Sequence, residues 1–576
     1  MKKIQTKVVI VGSGAGLMTA IQLFENGFKD VLIVDRKFND AHTTQARGGI
    51  NAALGTLDPE DSSLIHAVDT YREGLIANPD LVETLAYNAP SAIEDLLRWA
   101  NFHKEDDGKT ITQRFFGAHS YRRTCFSGDQ TKEMIRVMSA RARELEIPFL
   151  EETYVYKLLK APSTRELSDR TEGAESVSGI LAIDKISNEQ VHVEASIVVF
   201  ATGGYPNVYF RSSSRNKENF GDAINMAYEA GVTIDIEMVQ FHPTGLLYPE
   251  EKFGELVTEA VRGEGGRLLN ANGERFMKKY DPIKQELSTR DVVARANFQE
   301  IQEGRTDKGI WLDISHQPRE YILSRLPKMH SMILEYNGVD IAKDPVEVGP
   351  TTHYTMGIWF DPETYETSLE NFFVAGECSM GVHGANRLGG NSLMETLVFG
   401  KKVANKILEI QSSIKKPLPN PPLTGEGTKT EKLCSGTLDA WSTLTEIRKQ
   451  VWEYAGIVRV ESELLLQKYL SEMRTKIESE GLACHGNDYE NTMMHNRVQA
   501  VLNIELICKA LERKESRVAH YRSDYLEISD NYHKNFMHTL VDGKVESKWK
   551  DLPKPSKKLQ DGLDSFEETG NYGHSE

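Results

Sequence analysis

The chain is poor in residues that could tie it together covalently. It has five cysteines in 576 residues (Cys125, Cys378, Cys434, Cys484 and Cys508), and none forms a C-x-x-C pair. That pattern offers no disulfide framework and no zinc or iron–sulfur motif, so no metal site is expected. The thiols read as buried or free groups in a reducing compartment. Long apolar runs are also missing: none reaches the ~18 residues of a membrane span. Lys2 and Lys3 followed by Val8 to Val11 imitate a short signal peptide. The run is brief, however, and ends in glycines rather than a small-residue cleavage site, and no twin arginine occurs. It reads as a first strand, and the chain is expected in the cytoplasm. Positive charge is in deficit, with a formal net charge of −17. This excess of acid opposes nonspecific binding to nucleic acid or to an anionic membrane surface. It leaves the sign of a small substrate open, because a basic pocket can sit in an acidic shell. There is no internal repeat, and the only biased stretch is the proline- and glycine-rich segment 416–427, which reads as a linker.

What is present suits a multidomain α/β protein. At about 150 residues per domain, the length predicts three to four domains. Hydrophobic residues make up 39% of the chain, enough for sizeable cores. Thr6 to Val11 is a β-branched run of the kind found in buried parallel strands. A glycine turn follows, then helical periodicity from Leu17 to Asn26, then a second strand over Val31 to Val34 ending at Asp35. That order is a β-α-β unit. Helical patterns recur over about 79–100 and 130–145, and another apolar strand runs from Ala195 to Ala201. From about 231 to 346 the elements become short and mixed, as in an inserted domain. The strand Phe372 to Ala375 and a helix from Ser392 to Ile410 resume the earlier style. The predicted parts are therefore 1–230, 231–346 and 347–411, a linker over 412–431, helices over 432–520 and a polar, irregular tail over 521–576.

The first turn reads Gly12-Ser13-Gly14-Ala15-Gly16. Glycines there permit a tight bend and let backbone N–H groups approach a pyrophosphate at a helix N-terminus. Asp35, at the end of the second strand, can accept hydrogen bonds from ribose hydroxyls. The fingerprint G-x-G-x-x-G would place glycine at 17, where Leu17 stands, so the loop is one residue short. An ordinary glycine-rich βα turn is the rival reading at this point.

Several later segments resemble one family in family order. They are Ala41-His42-Thr43-Thr44-Gln45-Ala46-Arg47-Gly48-Gly49-Ile50, Gln240-Phe241-His242-Pro243-Thr244-Gly245, and Thr258-Glu259-Ala260-Val261-Arg262-Gly263. Thr289-Arg290-Asp291, His353-Tyr354, His383-Gly384-Ala385-Asn386-Arg387-Leu388-Gly389-Gly390-Asn391-Ser392-Leu393 and Glu515-Ser516-Arg517-Val518-Ala519-His520 continue the series. The chain thus resembles the flavoprotein subunits of succinate dehydrogenase and fumarate reductase. The resemblance implies an α/β, Rossmann-like FAD-binding domain that is split, an inserted α+β capping domain and a C-terminal helical domain.

It also implies roles for particular residues. FAD would be bonded covalently to His42 and held by Gly12, Gly14, Ala15, Gly16, Asp35, Thr43, Gly48, Gly49, Asp222, Glu377, Ser392 and Leu393. For Asp222 a simple Gly-Asp turn is the competing reading. Alkylating the flavin should raise its reduction potential. Arg47, where the family carries Gln or Glu, should favour the anionic reduced form by Coulomb attraction. Asn391 or Ser392 can cap the helix that follows, turning its positive end toward the flavin. One carboxylate of a small dicarboxylate would be held by His242 and Thr258, and the other by His353 and Arg387. Arg290 would deliver the proton, replenished by a relay through Glu259 and Arg262; a purely structural Arg–Glu–Arg network is the alternative.

The implied reaction is the interconversion of succinate and fumarate. The implied direct partner is an iron–sulfur subunit. Membrane anchor subunits and quinone lie beyond it, with the chain peripheral on the cytoplasmic face of the inner membrane. Two other functions remain in play. L-aspartate oxidase shares several of these blocks but lacks the attachment histidine. A non-catalytic FAD-binding carrier would be expected to have lost the carboxylate-binding set.

Overall fold

The computed structural model describes residues 1–569 apart from 38–41, 46–47, 129–131, 164–173, 216–217, 305–308, 413–434, 461–462 and 504–511. Arg47 and the 416–427 segment lie outside the described residues, as does the side chain of His42.

The main sheet is seven-stranded. Lys2–Val11 is central to it, with Val31–Val34 and then Phe149–Leu150 on one side and Gln190–Phe200 on the other, all parallel. Buried valine and isoleucine fill the inner strands, as parallel strands covered on both faces require. The Gln190–Phe200 strand has two partners along its far edge. Its first half pairs antiparallel with Glu175–Asp184, and its last residues pair parallel with Phe372–Val374. This is how a segment late in sequence enters the sheet. Two helices, Gly14–Glu25 and Asn391–Ile410, pack against each other, and a Cβ on Gly400 would stand 2.7 Å from the Ala15 carbonyl oxygen. Close backbone approach of this kind needs glycine.

A second sheet, four-stranded and antiparallel, runs in the order Val239–Leu246, Val346–Thr355, Ile310–Asp313, Arg267–Leu269. It has its own apolar cluster around Leu268, Phe276, Ile310 and Ile333. The Val346–Thr355 strand carries this sheet past residue 346, where the sequence pattern suggests a boundary. Bulges at Gln240/Phe241 and His242/Gly245 interrupt the pairing beside the residues of interest below. Bulges commonly re-aim side chains next to functional sites.

Three helices, Ala440–Ala455, Glu463–Glu480 and Asp488–Leu502, follow as expected. The stretch after them departs from the irregular tail predicted from sequence. It forms a hairpin, Lys534–Val541 with Lys544–Asp551, and a helix, Lys557–Thr569. The turn residues Asp542 and Gly543 both have positive φ, as a two-residue turn of the I′ type demands. Leu559, Leu563 and Phe566 make a helical apolar stripe that packs on Ala67, Val68 and Tyr71. Dense charge around these residues hides the stripe in the sequence.

Candidate active site

The parallel strands deliver their C-terminal ends to one large cavity of about 1380 Å³. Val11, Val34, Ala201 and Ala375 all line it, each at or just past the end of its strand. Ligands of open parallel sheets bind at this edge. At one end, Gly12, Gly14 and Ala15 open the Gly14–Glu25 helix toward the cavity. Gly12 has φ +98°, and a Cβ there would stand 2.2 Å from the Ala201 carbonyl oxygen. Gly16 does not line the cavity. Its missing side chain lets the helix sit against Ile10, with a Cβ placed 2.8 Å from Ile10 Cγ2, so its role is packing rather than contact.

Asp35 lines the cavity and is held by the Lys37 N–H, which donates to Oδ1 at 2.7 Å. Burial pushes its carboxyl up, and hydrogen bonding with Ser13 opposes that. Thr43, Gly48, Gly49, Asp222 and Glu377 also line the cavity. Asp222 Oδ2 accepts from the Tyr154 hydroxyl at 3.1 Å, while its Oδ1 is buried without a hydrogen-bond partner. The glycine cradle and this unsatisfied acceptor suit a dinucleotide with ribose hydroxyls to donate. His42 begins a short 3₁₀ turn, His42–Gln45, next to Thr43.

The helix Asn391–Ile410 meets the same cavity through Gly390, Ser392, Leu393 and Thr396. Neither Asn391 nor Ser392 caps it, against the sequence expectation. The capping position is Gly390, at φ 86°, with no side-chain cap hydrogen bond. A Cβ there would stand 2.0 Å from Asn51 Oδ1. Asn391 is instead buried in a polar web: Oδ1 accepts from Asn51 at 2.8 Å and lies 2.9 Å from His66 Nε2, and Nδ2 donates to Thr70 Oγ1. The first-turn N–H groups, free of any side-chain cap, are available to an anionic or carbonyl group.

The other end of the cavity gathers cations and imidazoles. His242 and His353 come from adjacent strands of the second sheet, with ring centroids 5.4 Å apart. His242 is 2% exposed. Its Nδ1 accepts the Thr244 N–H at 3.2 Å, which leaves the ring proton on Nε2 as a donor. Burial first, then the charges of Arg290, Arg262 and Arg387, hold this ring well below the usual histidine range, so it stays neutral. His353 Nδ1 lies 2.9 Å from Ser213 Oγ. Arg387 donates to the Leu388 carbonyl at 3.0 Å, and its Nε has no partner. Burial and the nearby Arg290 charge lower its guanidinium from the ordinary value.

Arg290 opens the helix Arg290–Gln302, where the helix dipole adds to its own positive field. Its Nε donates to Glu259 Oε2 at 3.1 Å and its Nη1 to Gln240 Oε1 at 3.4 Å. Burial acts to raise the Glu259 carboxyl, but Arg290 and Arg262 outweigh it and hold the group anionic. Thr258 and Glu259 line the cavity; Arg262 does not. Arg262 is 2% exposed, donates to the Glu286 carbonyl, and leaves Nε and Nη2 without partners. Its coupling to Glu259 is electrostatic.

His242, Thr258, Glu259, Arg290, His353 and Arg387 thus share one cavity with the nucleotide-type turn. Sequence reasoning does not single out four other participants. Gln240 and Asn386 bridge the two arginine-bearing segments: Gln240 Nε2 donates to Asn386 Oδ1 and, at 2.8 Å, to the Arg387 carbonyl. His119, with Nε2 2.9 Å from the Gly389 carbonyl, and Glu73 complete the wall. Gln240 and Asn386 sit inside motif blocks that could have revealed them. His119 and Glu73 carry no sequence signal.

Comparison with known proteins agrees with this geometry. A family model described as an FAD binding domain matches residues 7–393, and one described as the fumarate reductase flavoprotein C-terminus matches residues 444–559. The chain is 37% identical over 543 residues to a fumarate reductase (CoM/CoB) chain of Methanothermobacter marburgensis, covering 92% of this chain and 96% of that one. It is 33% identical to the succinate dehydrogenase flavoprotein subunit of Rickettsia bellii, covering 92% of each. Among solved structures, Mycobacterium smegmatis Sdh1 in complex with UQ1 superposes with a TM-score of 0.86 at 32% identity, covering 100% of this chain and 99% of that one. The fold, the FAD-type nucleotide end and these matches place the chain in the succinate dehydrogenase and fumarate reductase flavoprotein family of FAD-dependent oxidoreductases.

Proposed function

We propose that this chain interconverts succinate and fumarate, with FAD bound covalently through His42 and electrons passing to or from an iron–sulfur subunit. The observation that carries this reading is the meeting of His242, Thr258, His353, Arg387 and Arg290 in the cavity that also holds the nucleotide turn. A dianion needs donors at both ends, and the site provides them. His242 Nε2–H and the Thr258 hydroxyl take one carboxylate. His353 and the Arg387 guanidinium take the other, Arg387 with the planar fork that suits a carboxylate. Desolvation of these groups is costly without an anion, which favours the loaded site.

FAD supplies the hydride acceptor for succinate and the hydride donor for fumarate. The chain's own part is to move the matching proton. In fumarate reduction Arg290 gives a proton to the second olefinic carbon; in succinate oxidation it takes one. Arginine holds its proton tightly, so the transfer requires immediate exchange with Glu259, hydrogen-bonded at 3.1 Å. In succinate oxidation Glu259, which the Arg290 and Arg262 charges hold anionic, takes the proton on from Arg290; in fumarate reduction a proton from solvent passes through Arg262 and Glu259 back to Arg290.

No described helix is long and apolar enough to cross a membrane. The proposed assembly reaches a membrane through partner subunits, on its cytoplasmic face. Two electron carriers divide the relatives. One relative is named for CoM/CoB, and a Wolinella succinogenes relative at 33% identity is named as the flavoprotein of an 8-methylmenaquinol:fumarate reductase. Assays of the assembled complex with a quinol and with CoM and CoB together separate the two.

The basic test uses purified protein and an artificial acceptor. Succinate oxidation, with flavin fluorescence that stays on the chain in a denaturing gel, is expected. Flavinylated protein that neither oxidises succinate nor reduces fumarate would overturn the reading.

A further inference from the structure

The proposed acid–base group does not end at Glu259. On its other side Arg290 Nη1 donates to Gln240 Oε1 at 3.4 Å, Gln240 Nε2 donates to Asn386 Oδ1, and Asn386 Nδ2 donates to Glu73 Oε1 at 2.5 Å. Two carboxyl groups therefore flank Arg290, Glu259 directly and Glu73 through two amides. Glu73 lies in the last turn of the Ser63–Gly74 helix and itself lines the cavity. Gln240 also grips the Arg387 carbonyl, so one chain of side chains fixes the spacing of both arginines.

We propose that Glu73 is a positioning residue of the dicarboxylate site, which as a neutral acid anchors the Asn386–Gln240–Arg290 chain and as a carboxylate competes with the substrate for the positive charge of Arg290. The inference rests on the dicarboxylate reading above. The groups facing Glu73 are Asp291, Arg290, Glu259 and Lys284. Its helical neighbour Arg72 also lines the cavity and lies over the Phe566 ring, 3.3 Å from the centroid. Burial first, then the negative Asp291 and Glu259, push the Glu73 carboxyl up to about 8, against the pull of Arg290 and Lys284. At neutral pH the group is a neutral acid. Above that value it places a second negative charge beside a site built for a dianion. Linkage then requires that a bound dicarboxylate favour the protonated acid. Burial and the Arg290 charge lower the Arg387 guanidinium to about 9, so the Glu73 effect is read below that pH, where His242 is already neutral.

The test is the pH dependence of KM for succinate and of malonate binding, the latter followed as a flavin difference spectrum of the holoprotein. Malonate is a dicarboxylate that does not react. In the unsubstituted protein both constants are expected to rise about tenfold in all between pH 7 and 9, as one group near 8 loses its proton. In Glu73→Gln, which mimics the neutral acid, this rise should vanish, with KM changed more than kcat. Glu73→Asp, which keeps a titrating carboxyl, should retain it. Flavin content checks that each variant folds. Identical malonate profiles for Glu73→Gln and the unsubstituted protein overturn the proposal. If Glu73→Gln does not load flavin, a flat malonate profile in the unsubstituted protein overturns it instead. Protein that binds malonate with the Glu73-dependent profile but does not turn over succinate would sink the redox reading alone; protein that binds no malonate would sink both.

Discussion

At the residue scale the site is a problem of positive charge in excess of its counter-charge. Arg387 and Arg262 are buried with unpartnered nitrogens, and Arg290 stands at a helix N-terminus with one direct carboxylate partner among the described residues. Glu259 and Glu286 offset part of this charge, and a bound dianion would offset more. Arg290→Lys keeps a positive charge but loses the planar fork that bonds Glu259 and Gln240 together. The variant should load flavin normally yet lose about 10²–10⁴-fold in kcat, the span of general acid catalysis; a rate near that of the unsubstituted protein would remove Arg290 from the mechanism. Gly12 is the second residue on which much turns. Gly12→Ala adds a methyl group 2.2 Å from the Ala201 carbonyl oxygen at a φ of +98°. Its expected outcome is loss of bound flavin, read as the absorbance ratio of flavin to protein.

Single elements show what the sequence made plain and what it hid. The strands over Val31–Val34 and Phe372–Val374 and the helix over Asn391–Ile410 fall within a residue or two of their predicted bounds, because uninterrupted apolar runs and strong helical periodicity leave little choice. The first strand starts at Lys2 rather than Thr6, because pairing with Gln190–Phe200 extends it through a polar segment with no pattern of its own. The hairpin after His520 was missed as part of an irregular tail, because the lysines around Asp542-Gly543 mask its turn signal. The closing helix, Lys557–Thr569, was not legible, since only three apolar residues hold it. Leu559→Ala should therefore loosen this helix by about 2–5 kcal/mol. Faster amide exchange confined to 557–569, with a nearly constant global Tm, is the expected signature. The site residues inside family-like blocks were legible one by one. Glu73 was not, because its meaning comes from Asn386, more than 300 positions away.

For the whole molecule, burial of acids has a measurable consequence. Burial pushes Glu377 to about 8, Glu73 to about 8 and Asp235 to about 7, in each case with a neighbouring acid adding to the effect. The folded state then holds protons that the unfolded chain has already lost. Their stabilising contribution is present at low pH and is lost as pH rises through these values. Unfolded histidines titrate near 6.5 and contribute little above neutrality. Calorimetric Tm should therefore fall between pH 7 and 8, and Glu73→Gln should flatten that fall; a Tm that rises over this interval would contradict the burial of these acids in uncharged form. The sequence by itself determined the class of the protein, the β-α-β nucleotide end and most of the groups proposed to touch substrate or cofactor, because apolar period, glycine turns and motif chemistry are local properties. Tertiary structure alone decided which of those groups share a cavity, that Gly16 and Arg262 stand behind it, that the second nucleotide-facing helix is left uncapped, and that Glu73 lines the same cavity. Those outcomes depend on through-space distance, desolvation and field, and none of the three is written in the spacing of residues along the chain.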